Sequence, residues 1–393
     1  MNRTSGTLNG RNLPLLVAIY INIVGPSVFI VQPSFVQMLV AHLGFGTRAA
    51  GYIASAEMWG IALATLALTV LMRRCQWRRM LRVASVFIVI GNLASVLMPC
   101  WEALALCRFV AGLGCGALIS IGFTVLGISA RPDRNFGLMI AALLSYGALG
   151  MWLLPVAASA VGSEGVFLFF ALLGGSVLPL VDYLPNRAEP EEVSAVSTSV
   201  LSSRHMRSAA VLAMFLYFFG QGVVWTYLFL IGTSKGFSEQ QVASALSLSQ
   251  FLAIAAALGA ATVGTRYGRL GPVCLGILGG IVPLLFLFQL QNLSAFVVAV
   301  CVYNFAWNLL HPYLLGVMAS LDLSGKVVTN ATSAQMVGLA MGPAVAVQLI
   351  QDQDLGNAIW LGVVSLAAAL CFIAPPILDL RRRQGSDFMM SAI

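Results

Sequence analysis

The chain has 393 residues, of which 59% are hydrophobic and only 9% charged, and it carries a net charge of +7. A water-soluble domain carries about 25% charged residues, so an ordinary soluble enzyme or binding module is excluded. A basic balance can mark a nucleic-acid surface, but here the basic residues sit in short turns between apolar runs and form no patch on one domain.

Twelve apolar segments follow one another: 14–40, 49–71, 81–99, 101–129, 136–160, 164–184, 208–232, 239–265, 271–290, 293–318, 326–350 and 355–379. Each reaches or approaches the roughly 20 residues that a helix needs to cross a bilayer. In lipid the backbone hydrogen bonds must close internally, which a helix does within one segment. The runs are too long and continuous for the strands of about 10 residues in a membrane barrel. The first segment is too long for a signal-peptide core and no small-residue cleavage site follows it, so it reads as a retained first helix. The expected fold is all-α, with 12 transmembrane helices in two pseudo-symmetric six-helix bundles.

With the N-terminus placed inside, 18 of the 21 basic residues fall on inner loops, tails or the inner ends of spans, Arg48 and Lys235 fall outside, and Arg108 lies deep within a span. That bias predicts that both termini are cytoplasmic. Residues 185–207, with Glu189, Glu191, Glu192 and a Ser-rich tract, read as a cytoplasmic linker between bundles 1–184 and 208–393. The other loops are too short to hold a soluble catalytic domain. The seven cysteines show no paired spacing and imply neither disulfides nor a metal site.

The halves echo each other. Arg73-Arg74-Cys75-Gln76-Trp77-Arg78-Arg79 lies between spans 2 and 3, and Gly264-Thr265-Arg266-Tyr267-Gly268-Arg269 between spans 8 and 9. Spans 5 and 11 are both interrupted, by Gly147, Gly150 and Pro155 and by Gly338, Gly342 and Pro343. Such matched interruptions point to a transport path, and close helix packing explains glycines equally well. On these features the chain resembles the major facilitator superfamily over nearly its full length. The second loop is similar to the family's Asp-Arg-x-Gly-Arg motif, with Arg266, Gly268 and Arg269 in place and Thr265 in the acidic position. In the first loop Arg74 or a neighbour stands where the family has Asp, and Arg78 and Arg79 follow without a preceding glycine. Arg108 with Gly112, Gly114 and Gly116 is similar to the family's fourth-helix motif, which implies that Arg108 faces a cavity. Gly338 to Pro343 has the shape of the family's antiporter motif, in span 11 rather than span 5.

Ionisable groups inside hydrocarbon cost about 2.5–3.5 kcal/mol each and need a reason. Glu57 in span 2 and Arg108 in span 4 are the clear cases, both roughly 10–12 Å below the outer edge at 1.5 Å per residue. They are candidates for proton coupling; the plainer reading is a pair that holds the first bundle together. Burial favours the neutral form of a carboxylate and a nearby guanidinium the charged form, so a change of distance can move a proton. No buried carboxylate is visible in the second half. Its polar candidates for a solute cavity are Gln221, Trp225, Gln250, Asn304, Trp307 and Asn308, with Asn22, Tyr146 and Arg108 from the first half; interhelical hydrogen bonding is the plainer reading of each. His311 and Asp182 read as residues near the inner ends of spans 10 and 6.

No phosphate loop is present, no metal-ligand spacing appears, and no cofactor is expected. The expected function is secondary active transport of a small amphipathic or aromatic organic solute, optionally a carboxylate, by alternating access with proton coupling. A broad-specificity efflux antiporter is the alternative, and a membrane-embedded enzyme or ligand sensor the alternative of another class. The expected partners are a solute, protons and the lipid bilayer, without nucleic acid. The expected state is a monomer in a plasma membrane, that of a bacterial inner membrane.

Overall fold

The computed structural model describes residues 9–72, 75–186, 203–264, 268–289, 292–322, 326–350 and 354–391. Arg74, Arg266 and linker residues 187–202 lie outside these.

The described residues are almost wholly helical. Span 1 is built of α1 (Asn9–Val24), α2 (Ser27–Ile30) and α3 (Gln32–Ala41). It is broken where Gly25-Pro26 and Pro33 interrupt the run, because proline removes a backbone donor and crowds the preceding turn. Spans 2 to 4 are α4 (Thr47–Leu71), α5 (Trp77–Val96) and α6 (Trp101–Gly127). Spans 5 and 6 form α7 (Pro132–Gly175), which bends at Gly162, where φ is +71° and only glycine is unstrained. A 3-10 turn over Leu178–Tyr183 ends it.

Spans 7 to 12 are α8 (Arg204–Ser234), α9 (Glu239–Val263), α10 (Leu270–Leu287), α11 (Leu293–Leu321), α12 (Lys326–Leu349) and α13 (Gly356–Ser391). Polar loop residues start these helices. Ser238 and Gln241 form a reciprocal capping box at α9, and the Asn292 side chain accepts from the Ser294 N–H at α11.

Nine stretches among the described residues are long and apolar enough to span a bilayer, and one of them, Arg134–Tyr183, is 50 residues long and covers spans 5 and 6. Span 1 escapes this criterion because it is broken, and α12 because it is rich in Thr, Ser and Gln. All twelve sequence segments are thus helical.

The chain gathers into two compact units: Met1–Val31 with Ala56–Gly147 and Val156–Glu192, and Gln32–Ser55 with Ala148–Pro155 and Val193–Ile393. In the first, α6 packs against α5 and α1. In the second, α8 packs against α12, α13 and α3, and α11 against α9 and α10. Both units present apolar side chains outward. Val83, Phe87 and Ile90 stand exposed along one stripe of α5, and Leu275, Leu278, Val282 and Phe286 along α10. Such stripes would be a liability in water and are the natural contact with acyl chains.

Candidate functional site

In the first unit, α6 carries Gly112 and Gly116 one turn apart on the side facing α4, and Gly114 on the side facing α5. A Cβ on Gly112 would strike the Glu57 carbonyl, one on Gly116 the Ile61 carbonyl, and one on Gly114 the Ala84 carbonyl. The three backbones therefore approach closely, in the manner of small-residue packing in membranes. Arg108 lies one turn before Gly112, so this approach brings it to Glu57.

Arg108 Nη1 is 3.9 Å from Glu57 Oε2, with side-chain exposures of 0% and 5%. Arg108 Nη2 donates to Asn92 Oδ1 at 2.9 Å. The Asn92 amide is fixed in turn, because its Nδ2 donates to the Ile88 carbonyl at 2.8 Å. The guanidinium also lies over the Phe167 ring, 5.5 Å from its centre. Asn92 was not foreseen in the sequence; the available signal was a lone amide in an otherwise apolar span. Asn22 is buried in the same unit. Its Nδ2 donates to the Ala18 carbonyl at 2.8 Å and it packs on Gly122. Its Oδ1 has no hydrogen-bond partner among the described residues. Tyr146 is half-buried beside Ser27.

In the second unit the amides and rings predicted from spans 7, 8 and 10 come together. Tyr303 donates to Gln221 Oε1. Asn304 Nδ2 donates to Ser249 Oγ at 3.1 Å and to Gln250 Oε1 at 3.2 Å, and Asn308 Nδ2 donates to Asn304 Oδ1 at 3.0 Å. Trp225 meets Trp307 edge-on at 5.6 Å, and Trp307 neighbours Phe218 and Tyr303, each at 6.5 Å. His311 joins this group: its ring is 5.0 Å from Phe218, and its Nε2 is 3.2 Å from Gln335 Oε1. Trp307, Asn308 and His311 are half-buried, which leaves one side of the cluster accessible. Gln250 Nε2 is buried with no hydrogen-bond partner among the described residues. Tyr303, Ser249, Phe218 and Gln335 are additions that sequence periodicity did not single out.

Gly338 and Gly342 lie against α8, where a Cβ would come within 2.6 Å of the Phe215 carbonyl and 2.5 Å of the Phe219 carbonyl. The Tyr227 hydroxyl donates to the Pro343 carbonyl at 3.5 Å. These residues thus pack α12 onto α8. Gly147 is buried and Gly150 half-buried, and α7 runs through Pro155 without a break.

The same unit holds a row of polar contacts to the ends of spans 1 and 2. Gln32 donates to Thr226, Gln37 to Glu239, Ser55 to the Ala340 carbonyl at 2.7 Å, and Arg48 Nη2 to the Ile350 carbonyl at 2.7 Å.

At the basic loops, Gly264 and Gly268 have φ of +53° and +73°, and Arg269 donates to Ser320. Arg78 Nε donates to the Leu184 carbonyl at 2.7 Å, Arg82 pairs with Asp182 at 2.5 Å, and Arg79 is exposed. The second half does contain a buried carboxylate, contrary to expectation. Asp322, just past the end of α11, accepts from the Val327 N–H at 3.3 Å and so serves the start of α12.

The sequence profile of the Major Facilitator Superfamily matches residues 17–343. The chain belongs to this superfamily. It is therefore a multi-pass membrane protein with the fold of secondary transporters. A crystal structure of a D-xylose-proton symporter superposes with a TM-score of 0.73 at 14% identity, over 92% of this chain and 98% of that one. The nucleoside transporter NupG superposes with a TM-score of 0.71 at 13% identity, over 94% and 99%. At these identities the likeness is one of fold. No curated protein sequence matches the chain.

Proposed function

We propose that this superfamily member moves a small amphipathic organic solute across the plasma membrane by proton-coupled alternating access. The halves 1–184 and 208–393, joined by linker 185–207, act as the two moving bundles, and both termini are cytoplasmic. The observation that carries the coupling is the Glu57–Arg108 contact at 3.9 Å, sealed within the first unit. A carboxylate that shares a buried guanidinium with a neutral amide can exchange its proton when hydration changes. One of the structural neighbours being a proton symporter supports this reading.

The solute rests on the amides and rings around Asn304, Gln250, Gln221, Trp225 and Trp307, which offer flat apolar faces and neutral hydrogen-bonding groups. Such a lining suits a neutral, hydroxylated or aromatic solute. The carboxylate option loses ground, because the Arg108 cation is engaged by Glu57 and Asn92. The contacts from Gln32, Gln37, Arg48 and Ser55 act as the releasable closure on the outer side. A panel of sugars, nucleosides and aromatic acids screened by thermal shift finds ligands, since a compound that binds only the folded state raises stability. Hits are then taken to proteoliposomes with and without a pH gradient. Uptake of a hit that ignores the gradient in both directions would remove proton coupling from the proposal.

A further inference from the structure

Outside the groups used above, the first unit holds a groove of about 580 Å³ lined by the inner part of α4 (Ala64, Ala67, Leu71), by α6 (Leu113, Ala117) and by the start of α5 (Arg79, Val83, Phe87). Alanines and larger apolar side chains share its lining. Val83 and Phe87 belong to the exposed apolar stripe of α5, so the groove opens on the face that meets lipid. Arg79 to Phe87 is eight residues, roughly 12 Å of helix, so a basic mouth leads into an apolar slot.

The three arginines at the start of α5 are not alike, and of them only Arg79 lines the groove. Arg78 is spent on the Leu184 carbonyl and Arg82 on Asp182. Arg79 is exposed, lines the groove, and has no hydrogen bond or ion pair among the described residues. We propose that this groove is a lipid site that seats one acyl chain of an anionic phospholipid, with the headgroup phosphate on Arg79. A guanidinium matches a phosphate oxygen pair, and basic pockets between membrane helices select anionic headgroups. The site is separate from the solute cluster and does not depend on which solute is carried.

Native mass spectrometry of the purified full-length protein tests this. The protein is incubated with equal amounts of phosphatidylglycerol and phosphatidylcholine bearing the same acyl chains. The wild type is expected to retain phosphatidylglycerol about fivefold over phosphatidylcholine, the preference that one basic side chain supplies. Arg79→Gln brings the ratio near one, while Arg131→Gln, at another basic turn, leaves it unchanged. Ala67→Phe fills part of the groove and loses both lipids at an unaltered melting temperature; Ala117→Leu does the same if the first variant folds poorly. A preference that survives Arg79→Gln overturns the site, as does one that Arg131→Gln lowers equally. Full lipid retention in both filled-groove variants, or displacement of the lipid by inorganic phosphate, also overturns it.

Discussion

Arg108 divides its guanidinium between Glu57, 3.9 Å from Nη1, and Asn92, 2.9 Å from Nη2. A bidentate fork onto the carboxylate would be the tighter arrangement. The shared arrangement keeps the cation held by a neutral amide whether or not Glu57 is charged, which is compatible with the proton exchange proposed above.

The first prediction concerns coupling. Glu57→Gln keeps the shape and the neutral form of the side chain. It is expected to allow solute exchange across proteoliposomes and to abolish accumulation against a gradient. Parallel counterflow and pH-driven uptake assays separate the two. Accumulation at wild-type level in the variant would remove Glu57 from the mechanism.

The second concerns stability. Removing one partner of a buried pair leaves a charge without compensation and costs about 3–5 kcal/mol. Arg108→Met should therefore lower the melting temperature sharply, and adding Glu57→Gln should restore part of it. If the double variant loses as much stability as Arg108→Met and Glu57→Gln measured singly and summed, the pair contributes no coupling energy.

A third follows from the glycine seam. Gly112→Val sets side-chain carbon against the Glu57 carbonyl, an overpacking that costs about 1–3 kcal/mol or more. Gly338→Val does the same between α12 and α8. Both are expected to express poorly or melt early, whereas Gly127→Val, with open space around its Cβ position, is not. Equal melting curves for all three would show that the seam tolerates separation.

The outer closure gives a fourth. Arg48→Ala deletes the bonds to the Ile350 carbonyl. In a Ser55→Cys background, a membrane-impermeant thiol reagent applied from outside is expected to react faster when Arg48 is also replaced. Unchanged labelling would mean that Arg48 does not hold that side shut.

The solute cluster gives the last. Asn304→Ala breaks bonds to Ser249 and Gln250, and interhelical bonds of this kind contribute about 1–2 kcal/mol at most. The variant should stay folded and bind the best thermal-shift ligand about tenfold more weakly, as should Trp307→Ala by loss of its ring face. Ligand affinity unchanged in both would place the binding site elsewhere.

The sequence by itself determined the number of crossings and their approximate places, because lipid leaves a helix no choice but to be long and apolar, and an ionised side chain within one is costly enough to show. It therefore also exposed Glu57 and Arg108, and it grouped Asn304 with Asn308 through helical spacing. It did not reveal Asn92, Tyr303, Ser249 or Gln335 as partners. An amide or hydroxyl within a span is cheap enough to occur for many reasons, and its partner lies on another helix at a rotation that composition does not encode. Only the tertiary structure decided that Gly112 and Gly116 carry Arg108 to Glu57, that Gly338 and Gly342 serve packing against α8, and that Arg79 opens onto a lipid-facing groove. Those outcomes depend on how closely backbones approach and how helices turn about their axes, and both are set by contacts far apart along the chain.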